Sequence, residues 1–247
     1  MEYTDMMDKN TNKMSEFMEK EYAKSLDFWN DWLGQEEEND ENLNLDTAWY
    51  EIGSKVLAEA AAELATQKQV LDYGCGSGWA SVIMVKRGCP HVTAVDVSEN
   101  GVKAAIQYAE TFHVKEQITF LPITTQWLKQ QQPDSYDGFF CSNVLDVVPT
   151  PVCEAIIKSA ANVCKKGAKV IIGLNPYFEQ ELIEKKGFEE REKNHLFYKD
   201  ILRIVNHSDE EWTTILGTYF KVVELRHFHW DGEPDTVNRR IFVLEKE

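Results

Sequence analysis

The chain has 247 residues, of which 43% are hydrophobic and 28% are charged, a composition typical of a soluble globular protein with a substantial core. Its formal net charge of −16 argues against a nucleic-acid partner, because such binding depends on neutralising phosphates. No apolar run reaches the ~18 residues of a membrane-spanning helix, and the acidic N-terminus does not resemble a signal peptide. The five cysteines form no C-x-x-C pair, which argues against a metal site. We therefore expect a cytoplasmic location.

The first quarter of the chain predicts two helices separated by an acidic linker. Over residues 1–33 apolar side chains, Met14 among them, recur in steps of three and four, which is the pattern of one helical face. Residues 35–42 are rich in Asp and Glu and predict a solvated linker. A second helix is predicted over residues 47–65, with Asp46 as its N-cap.

From Gln69 onward, predicted strands and helices alternate. This alternation predicts a parallel, doubly wound α/β sheet. The predicted strands are 70–72, 92–96, 118–121, 137–142 and 169–174, with a turn at 165–167 before the last of them. The predicted helices are 79–87, 99–112, 126–131 and 151–164.

After Pro176 the alternation stops. Residues 196–205 do not favour one type of element, and Ser208 is expected to cap a helix. The remaining predicted elements are helices over 177–188 and 209–217, and strands over 220–228 and 240–244 joined by a turn at 231–235.

Residues 70–78 read V-L-D-Y-G-C-G-S-G and join the first predicted strand to the first helix of the alternating region. Glycines in such a turn permit positive φ and let a ligand lie against bare backbone. The G-x-G-x-G spacing differs from the G-x-G-x-x-G of dinucleotide-binding proteins. Asp72 would oppose a pyrophosphate but suits a ligand with positive charge. The alternative is a structural turn that binds nothing.

This stretch resembles the first motif of the class I S-adenosylmethionine-dependent methyltransferases, which runs apolar-apolar-Asp/Glu-x-Gly-x-Gly-x-Gly. S-adenosylmethionine carries an ammonium and a sulfonium but no phosphate. The resemblance implies a mostly parallel, seven-stranded Rossmann-like sheet with an antiparallel last strand, a role that residues 239–247 fit. It also implies cofactor contacts from Asp72, Gly74, Cys75, Gly76 and Gly78.

Two later turns extend the resemblance. Asp96 ends the second predicted strand, and the family has an acid there that accepts hydrogen bonds from the ribose; Val97 follows it within the matching stretch. The alternative role for Asp96 is a helix cap. After the third strand, Thr124 stands where the family has an acid that contacts adenine. Thr124, Thr125 or Gln126 would make that contact through a hydroxyl or amide oxygen.

Residues 136–149 resemble the fourth motif of the small-molecule branch, which includes the ubiquinone C-methyltransferases. The resemblance implies that Cys141, Ser142 and Asn143 border the methionine part of the cofactor. Asp146 is expected either to approach the acceptor or to face solvent from a loop. No general base is assigned.

Three further features have a structural and a functional interpretation. His227 and His229 share one strand face. We prefer to interpret them as residues of a partly exposed strand rather than as a general base or metal ligands. Residues 175–178 are interpreted as a turn rather than as an amino-methylation motif. In the resembled family an N-terminal helical segment often shapes the acceptor pocket. The N-terminal aromatics therefore either pack in the core or line such a pocket. For any one of them core packing is preferred, and as a group they make an aromatic pocket plausible: Phe28, Trp29, Trp32, Trp49 and Tyr50.

The resemblance thus implies an S-adenosylmethionine-dependent methyltransferase acting on a small-molecule acceptor. Residues 1–45 are expected to form a helical cap with its linker, and residues 46–247 the methyltransferase domain. A homodimer is a further expectation. The alternative is a non-catalytic module that binds S-adenosylmethionine or a partner.

Overall fold

A computed structural model describes residues 16–35 and 44–247. Its helices are α1 (Glu16–Leu33), α2 (Lys55–Ala62), α3 (Trp79–Lys86), α4 (Glu99–Thr111), α5 (Thr150–Val163), α6 (Gln180–Lys186) and α7 (Asp209–Gly217). Its strands are β1 (Val70–Tyr73), β2 (Val92–Asp96), β3 (Ile118–Pro122), β4 (Tyr136–Ser142), β5 (Cys164–Leu174), β6 (Glu189–Glu192), β7 (His195–Tyr198), β8 (Ile201–Val205), β9 (Lys221–Phe228) and β10 (Arg239–Glu245). Met14 and linker residues 36–42 lie outside the described residues.

Seven strands form one sheet in the order β3-β2-β1-β4-β5-β10-β9. The strands from β3 to β5 are parallel to their neighbours, whereas β10 runs antiparallel to both β5 and β9. The predicted seven-stranded, mostly parallel sheet with an antiparallel last strand is therefore confirmed. The strand order reverses between β1 and β4, and ligands bind beyond the carboxyl ends of strands at such a point.

Helices cover both faces of this sheet. Side chains alternate along each strand, so Val70 joins the core beneath α2, α3 and α4, while Leu71 joins the core beneath α5 and α7. Each fully buried Leu or Val contributes about 1.5–3 kcal/mol. Ser208 caps α7 as predicted, in a capping box with Glu211. Across residues 16–35 and 44–247, no helix has both the length and the hydropathy needed to cross a membrane.

A second, three-stranded antiparallel sheet of β6, β7 and β8 was not predicted. It fills the region where residues 196–205 gave no clear pattern, and its Leu196 and Ile204 pack against Phe178. The helix predicted over 177–188 is shorter, because Gly187 adopts a left-handed conformation that ends α6.

The helix predicted over residues 47–65 is wrong. Gly53 has φ +74° and interrupts it, and Ser54 rather than Asp46 is the N-cap, accepting a hydrogen bond from the Leu57 amide. The segment forms a 3₁₀ turn at Ala48–Tyr50, then α2, then a 3₁₀ turn at Glu63–Thr66.

Two smaller predictions also need correction. The helix expected over 126–131 is a single 3₁₀ turn at Leu128–Gln130. The turn expected at 165–167 lies inside β5, where Gly167 has φ +78° and its amide donates to the Lys246 carbonyl.

Candidate functional site

A cavity of about 670 Å³ lies at the carboxyl ends of four neighbouring strands. Gly74 follows β1, Asp96 ends β2, Ser142 ends β4 and Asn175 follows β5, and all four line the cavity. The cavity therefore lies where the strand order reverses, which is the expected place for a ligand in an open α/β sheet.

Two groups of residues line most of this cavity. The first, which we call the loop wall, comprises Gly74 to Ser77 and Asp96 to Ser98. The second, which we call the side-chain wall, gathers residues from α1, from the turns after β4 and β5, from the junction of α6 and β6, and from β8. Its members include Trp29, Val147, Asn175, Phe188, Arg203 and Ile204.

Three glycines of the loop adopt positive φ, at +74° for Gly74, +50° for Gly76 and +82° for Gly78. A Cβ added at Gly74 would lie 2.2 Å from Cγ2 of Val144, so packing alone requires glycine there. At Gly76 the nearest atom to such a Cβ would be Cδ2 of Leu33, at 3.8 Å. Bare backbone at Gly76 therefore leaves room for a ligand between the loop and α1.

The loop uses its amides within the chain. The N–H groups of Gly74 and Cys75 donate to the Val95 carbonyl at 2.8 and 3.0 Å. The Gly76 N–H donates to Oδ2 of Asp96 at 2.9 Å. A pyrophosphate site needs such groups free to face the phosphates. The loop therefore fits a nucleoside without phosphates better than it fits a dinucleotide.

Asp96 joins the loop to the turn after β2. Its carboxylate accepts the Gly76 and Ser98 amides, at 2.9 and 2.8 Å, and lines the cavity at 8% exposure. Burial raises its pKa, while these hydrogen bonds act in the opposite direction. Ser98, not Asp96, caps α4 by accepting the Gly101 amide. Each Asp96 oxygen keeps a lone pair for a ligand hydroxyl.

Asp72 lies outside the cavity lining. Because side chains alternate along β1, it points toward α3, where the Ser81 hydroxyl donates to its Oδ2 at 2.6 Å. It is 2% exposed, and burial, reinforced by the nearby Asp96 charge, raises its pKa to about 7. The structure thus places Asp72 as a support of the β1–α3 turn.

The other predicted cofactor residues divide into two groups. Cys75, Val97, Ser142 and Asn143 line the cavity. Gly78, Thr124, Thr125 and Cys141 are not in its lining. Gly78 precedes α3, Thr125 lines a smaller neighbouring pocket, and Cys141 is fully buried in the core, where burial raises its thiol pKa. From the turn after β3, Ile123 reaches the cavity instead.

Asn143 has an unusual backbone conformation for a non-glycine residue, with φ +58°. Its amide donates to the Gly173 carbonyl at 2.9 Å, and the Ser142 hydroxyl donates to its Oδ1 at 3.0 Å. Strained positions of this kind often occur at functional sites. Here the strain directs Asn143 into the cavity lining beside Val144.

Asp146 neither faces solvent nor lines the cavity, contrary to both expectations. It is fully buried, and its Oδ2 accepts the Asn175 amide at 2.6 Å. Asn175 also accepts hydrogen bonds from Arg239, through Oδ1 at 2.8 Å, and from Arg240, through its carbonyl at 2.9 Å. The side chain of Asn175 also hydrogen-bonds Asp146, which counteracts the rise that burial causes in the pKa of that carboxyl. Asp146 therefore acts by positioning Asn175.

Helix α1, which contributes residues to the side-chain wall, also contacts the loop wall. The Asn30 carboxamide accepts the Ser98 hydroxyl at 2.9 Å, and the Asn30 carbonyl accepts Nδ2 of Asn100 at 3.0 Å. Further toward its N-terminus, the Ser25 hydroxyl donates to the Leu202 carbonyl at 3.4 Å. The predicted helical cap thus forms part of the cavity itself.

The N-terminal aromatics divide between the cavity and the core, and a role in an acceptor pocket stays a prediction. Trp29 and Trp32 line the cavity, and Phe28 packs beneath the Arg203 guanidinium. Trp49 and Tyr50 instead pack against the α2–α4 core and stack with Arg87 on the surface.

His227 and His229 are both exposed and lie outside the cavity lining. His227 places Nε2 2.7 Å from Oδ2 of Asp209. Within the two described ranges of the chain, no group of three or more His, Cys, Asp or Glu side chains is arranged to hold a metal ion.

Comparison with known proteins places residues 70–167 in the family described as a methyltransferase domain. A ubiquinone biosynthesis O-methyltransferase of Idiomarina loihiensis is 40% identical over 103 residues, which are 42% of this chain and 40% of that protein. The corresponding protein of Neisseria meningitidis serogroup C is 32% identical over 112 residues, covering 44% and 46%. The chain therefore aligns with less than half the length of these curated relatives.

A solved structure extends the likeness to the whole fold. Magnesium protoporphyrin IX methyltransferase from Synechocystis PCC 6803, with bound S-adenosylhomocysteine, superposes with a TM-score of 0.62 at 20% identity, covering 93% of this chain and 98% of that one. Residues 70–167, which contain the glycine loop, therefore resemble a methyltransferase domain, and the fold of the chain resembles that of this solved structure.

Proposed function

We propose that this chain is an S-adenosylmethionine-dependent methyltransferase that methylates a small molecule. The observation that carries the proposal is the loop wall, where bare backbone at Gly76 and the lone pairs of Asp96 meet in one cavity. The names of its relatives, which are ubiquinone biosynthesis O-methyltransferases, support an acceptor of low molecular weight. We further propose a cytoplasmic location, while a homodimer and independence from nucleic acid stay predictions.

The residues of the loop wall have the donor and acceptor chemistry that such a cofactor needs. Asp96 would accept the ribose hydroxyls, and Gly74, Cys75 and Gly76 would lie against the rest of the nucleoside. Ser142 and Asn143 line the same cavity. Direct cofactor contacts by Asp72, Gly78, Thr124 and Thr125 stay predictions. The division of the chain into a helical cap with its linker, residues 1–45, and a methyltransferase domain, residues 46–247, also stays a prediction.

S-adenosylmethionine, when bound, supplies a methyl group on a sulfonium that is already a good leaving group. The chain's own contribution is to position the acceptor, which can lower a barrier by ~7–11 kcal/mol. Apolar side chains such as Val147, Phe178 and Ile204 exclude water from the side-chain wall.

The cavity offers little for general-base catalysis. Among the described residues that line it, Asp96 is the sole carboxylate and no histidine occurs. Burial raises the pKa of the cavity-lining Tyr22 to about 12, so its hydroxyl stays protonated and can donate a hydrogen bond. Orientation of the acceptor, rather than proton removal by a dedicated side chain, is therefore the catalytic role that we assign to this site.

Calorimetry with S-adenosylhomocysteine tests the proposal. We expect the wild type to bind and Asp96→Ala to bind at least tenfold more weakly, because hydrogen bonds to a charged group are worth ~1.5–3 kcal/mol. Asp235→Asn, at a side chain that is 99% exposed, is the control and should bind as the wild type does. Absence of binding by the wild type would contradict the proposal. Methyl transfer to a panel of small acceptors then separates an enzyme from a binding module.

A further inference from the structure

Arg203 stands apart from the rest of the cavity lining. It extends from β8, and among the described lining residues no other Lys or Arg occurs. Its guanidinium carbon lies 4.8 Å from the ring centroid of Phe28 and 5.2 Å from that of Trp29. The side chain is thus held against α1 by its flat faces.

This cation has no counter-ion within residues 16–35 and 44–247. The nearby Arg191 pairs with Glu189 and Asp200, and Arg239 pairs with Glu233. Arg203 forms no ion pair with any residue in those ranges, although the chain has 42 Asp and Glu against 26 Lys and Arg. In so acidic a protein, an unpaired and half-buried guanidinium is an exception that needs a physical reason.

Burial of such a group has a cost. Removing a charge from water is unfavourable unless an opposite charge or hydrogen bonds replace the lost hydration. Burial lowers the pKa of Arg203, yet a guanidinium remains protonated in proteins. The aromatic rings compensate only part of this cost, ~0.5–2 kcal/mol for a cation–π contact. An anion in the cavity would compensate the remainder.

The surroundings of Arg203 indicate what else that anion must carry. Trp29, Phe188 and Ile204 line the same wall, so the group that fits beside them is apolar and, against two aromatic rings, flat. The guanidinium presents parallel N–H donors that match the two oxygens of a carboxylate. Asp96 on the loop wall would repel the same anion, so the charge distribution orients the molecule.

We propose that Arg203 binds a carboxylate of the acceptor, and that the substrate class is aromatic carboxylic acids. This inference rests on the proposed function, because the acceptor is what occupies the side-chain wall. Arg203 then selects the substrate and sets its direction in the cavity, with the carboxylate at β8 and the rest of the molecule extending toward the loop wall.

The test compares acids with their neutral isosteres. Affinities of one-, two- and three-ring aromatic carboxylates, from benzoate to anthracene-2-carboxylate, and of the corresponding primary amides are measured by calorimetry with S-adenosylhomocysteine present and absent. We expect the best acid to bind at least tenfold more tightly than its amide. Arg203→Met should abolish that ratio, and Arg203→Lys should retain part of it. Arg203→Met should leave S-adenosylhomocysteine affinity within twofold of the wild type.

Arg87→Met is the matched control. Arg87 also stacks on two aromatic rings, those of Trp49 and Tyr50, but lies outside the cavity lining. It should keep the full preference for acids. Equal affinities for every acid and its amide, no binding by any acid, or a preference that survives Arg203→Met would each overturn the inference. Failure of the wild type to bind S-adenosylhomocysteine would instead count against the proposed function. Binding of the cofactor product and binding of the acids are measured separately.

Discussion

The two walls of the cavity are built by different means. The loop wall comes from two short runs of sequence, residues 74–77 and 96–98. It is held by hydrogen bonds that backbone amides donate, such as that from the Gly76 amide to the Asp96 carboxylate. The side-chain wall collects residues from segments as distant as α1 and β8. The family match covers residues 70–167, which include the whole loop wall but neither α1 nor β8. The difference teaches that the loop wall lies within the segment shared with the methyltransferase family model, whereas much of the side-chain wall comes from segments outside that match.

Gly78→Ala should have the largest effect on stability, because it alters the backbone conformation next to the loop wall. Its Cβ would lie 2.7 Å from Cβ of Ala105 at a residue whose φ is +82°. Left-handed backbone costs about 1–2 kcal/mol and overpacking about 1–3, so we expect the free energy of unfolding to fall by ~2–5 kcal/mol in urea titrations. Gly217→Ala, where nothing lies within 4 Å of the added atom, should be neutral or stabilising. Equal stability of both variants would refute this account of the loop.

Arg240→Met should damage the other wall alone. Arg240 is fully buried and donates to the Asn175 carbonyl at 2.9 Å and to the His207 carbonyl at 2.7 Å. Unsatisfied buried acceptors cost about 1–3 kcal/mol each, so we expect a loss of ~2–4 kcal/mol in the same titrations. In the folded variant, S-adenosylhomocysteine should bind within twofold of the wild type.

The control for Arg240→Met is Arg191→Met, which removes a surface cation paired with Glu189 and Asp200. It should change stability by less than about 1 kcal/mol. A large loss of S-adenosylhomocysteine affinity in Arg240→Met would show that the two walls are not separate in the way described.

Asp72→Asn should change how stability depends on pH. The unfolded carboxyl titrates near pH 3.9, whereas burial raises its native pKa to about 7. Between those values the native state holds a proton that the unfolded state has lost. The wild type should therefore lose up to ~1.4 kcal/mol per pH unit through this group as pH rises, with the proton-linked stability gone above about pH 7.

Urea titrations at pH 5 and pH 8 measure this dependence. Asp72→Asn should remove the slope and be the more stable protein at pH 8, while Asp235→Asn should follow the wild type. Parallel pH profiles for wild type and Asp72→Asn would mean that Asp72 titrates alike in the native and unfolded states.

Asn30→Ala should have the smallest effect, because it loosens the contact between α1 and the loop wall without removing either. The variant loses hydrogen bonds to Ser98 and Asn100, each worth ~0.5–1.5 kcal/mol. We expect S-adenosylhomocysteine affinity to fall three- to tenfold in calorimetry. Asp27→Ala, at an exposed position of the same helix, should bind as the wild type does. An unchanged affinity for Asn30→Ala would exclude α1 from ligand binding at the loop wall.

The sequence was sufficient for the loop wall because its signals are local. Three glycines beside a strand end require a particular backbone, and Asp96 lies at a fixed spacing from Gly76. The alternation of strands and helices likewise predicted the parallel, doubly wound sheet around the cavity, although not its strand order. For Asp72 the sequence gives the alternation of side chains along the strand but not which face meets the cavity, and its contact with a cofactor stays a prediction.

The side-chain wall was mostly beyond prediction. The apolar stripe of α1 is visible in the sequence, but the pattern does not separate Trp29, which lines the cavity, from residues that only pack. β6 reads Glu-Glu-Arg-Glu, a composition typical of an exposed segment, and its pairing with β7 is a long-range choice. Nothing in the sequence marks Arg203. It stands out only in the structure, where it has no ion-pair partner among the described residues.

Two contacts of α1 have a thermodynamic consequence. Asn30, in its C-terminal part, bonds to the turn after β2, and Ser25, near its middle, bonds to β8, so one helix contacts both walls of the cavity. A ligand bound at one wall helps to hold α1 in place. The second ligand then does not have to provide that free energy. By reciprocity, we expect each ligand to increase the affinity of the other by the same factor.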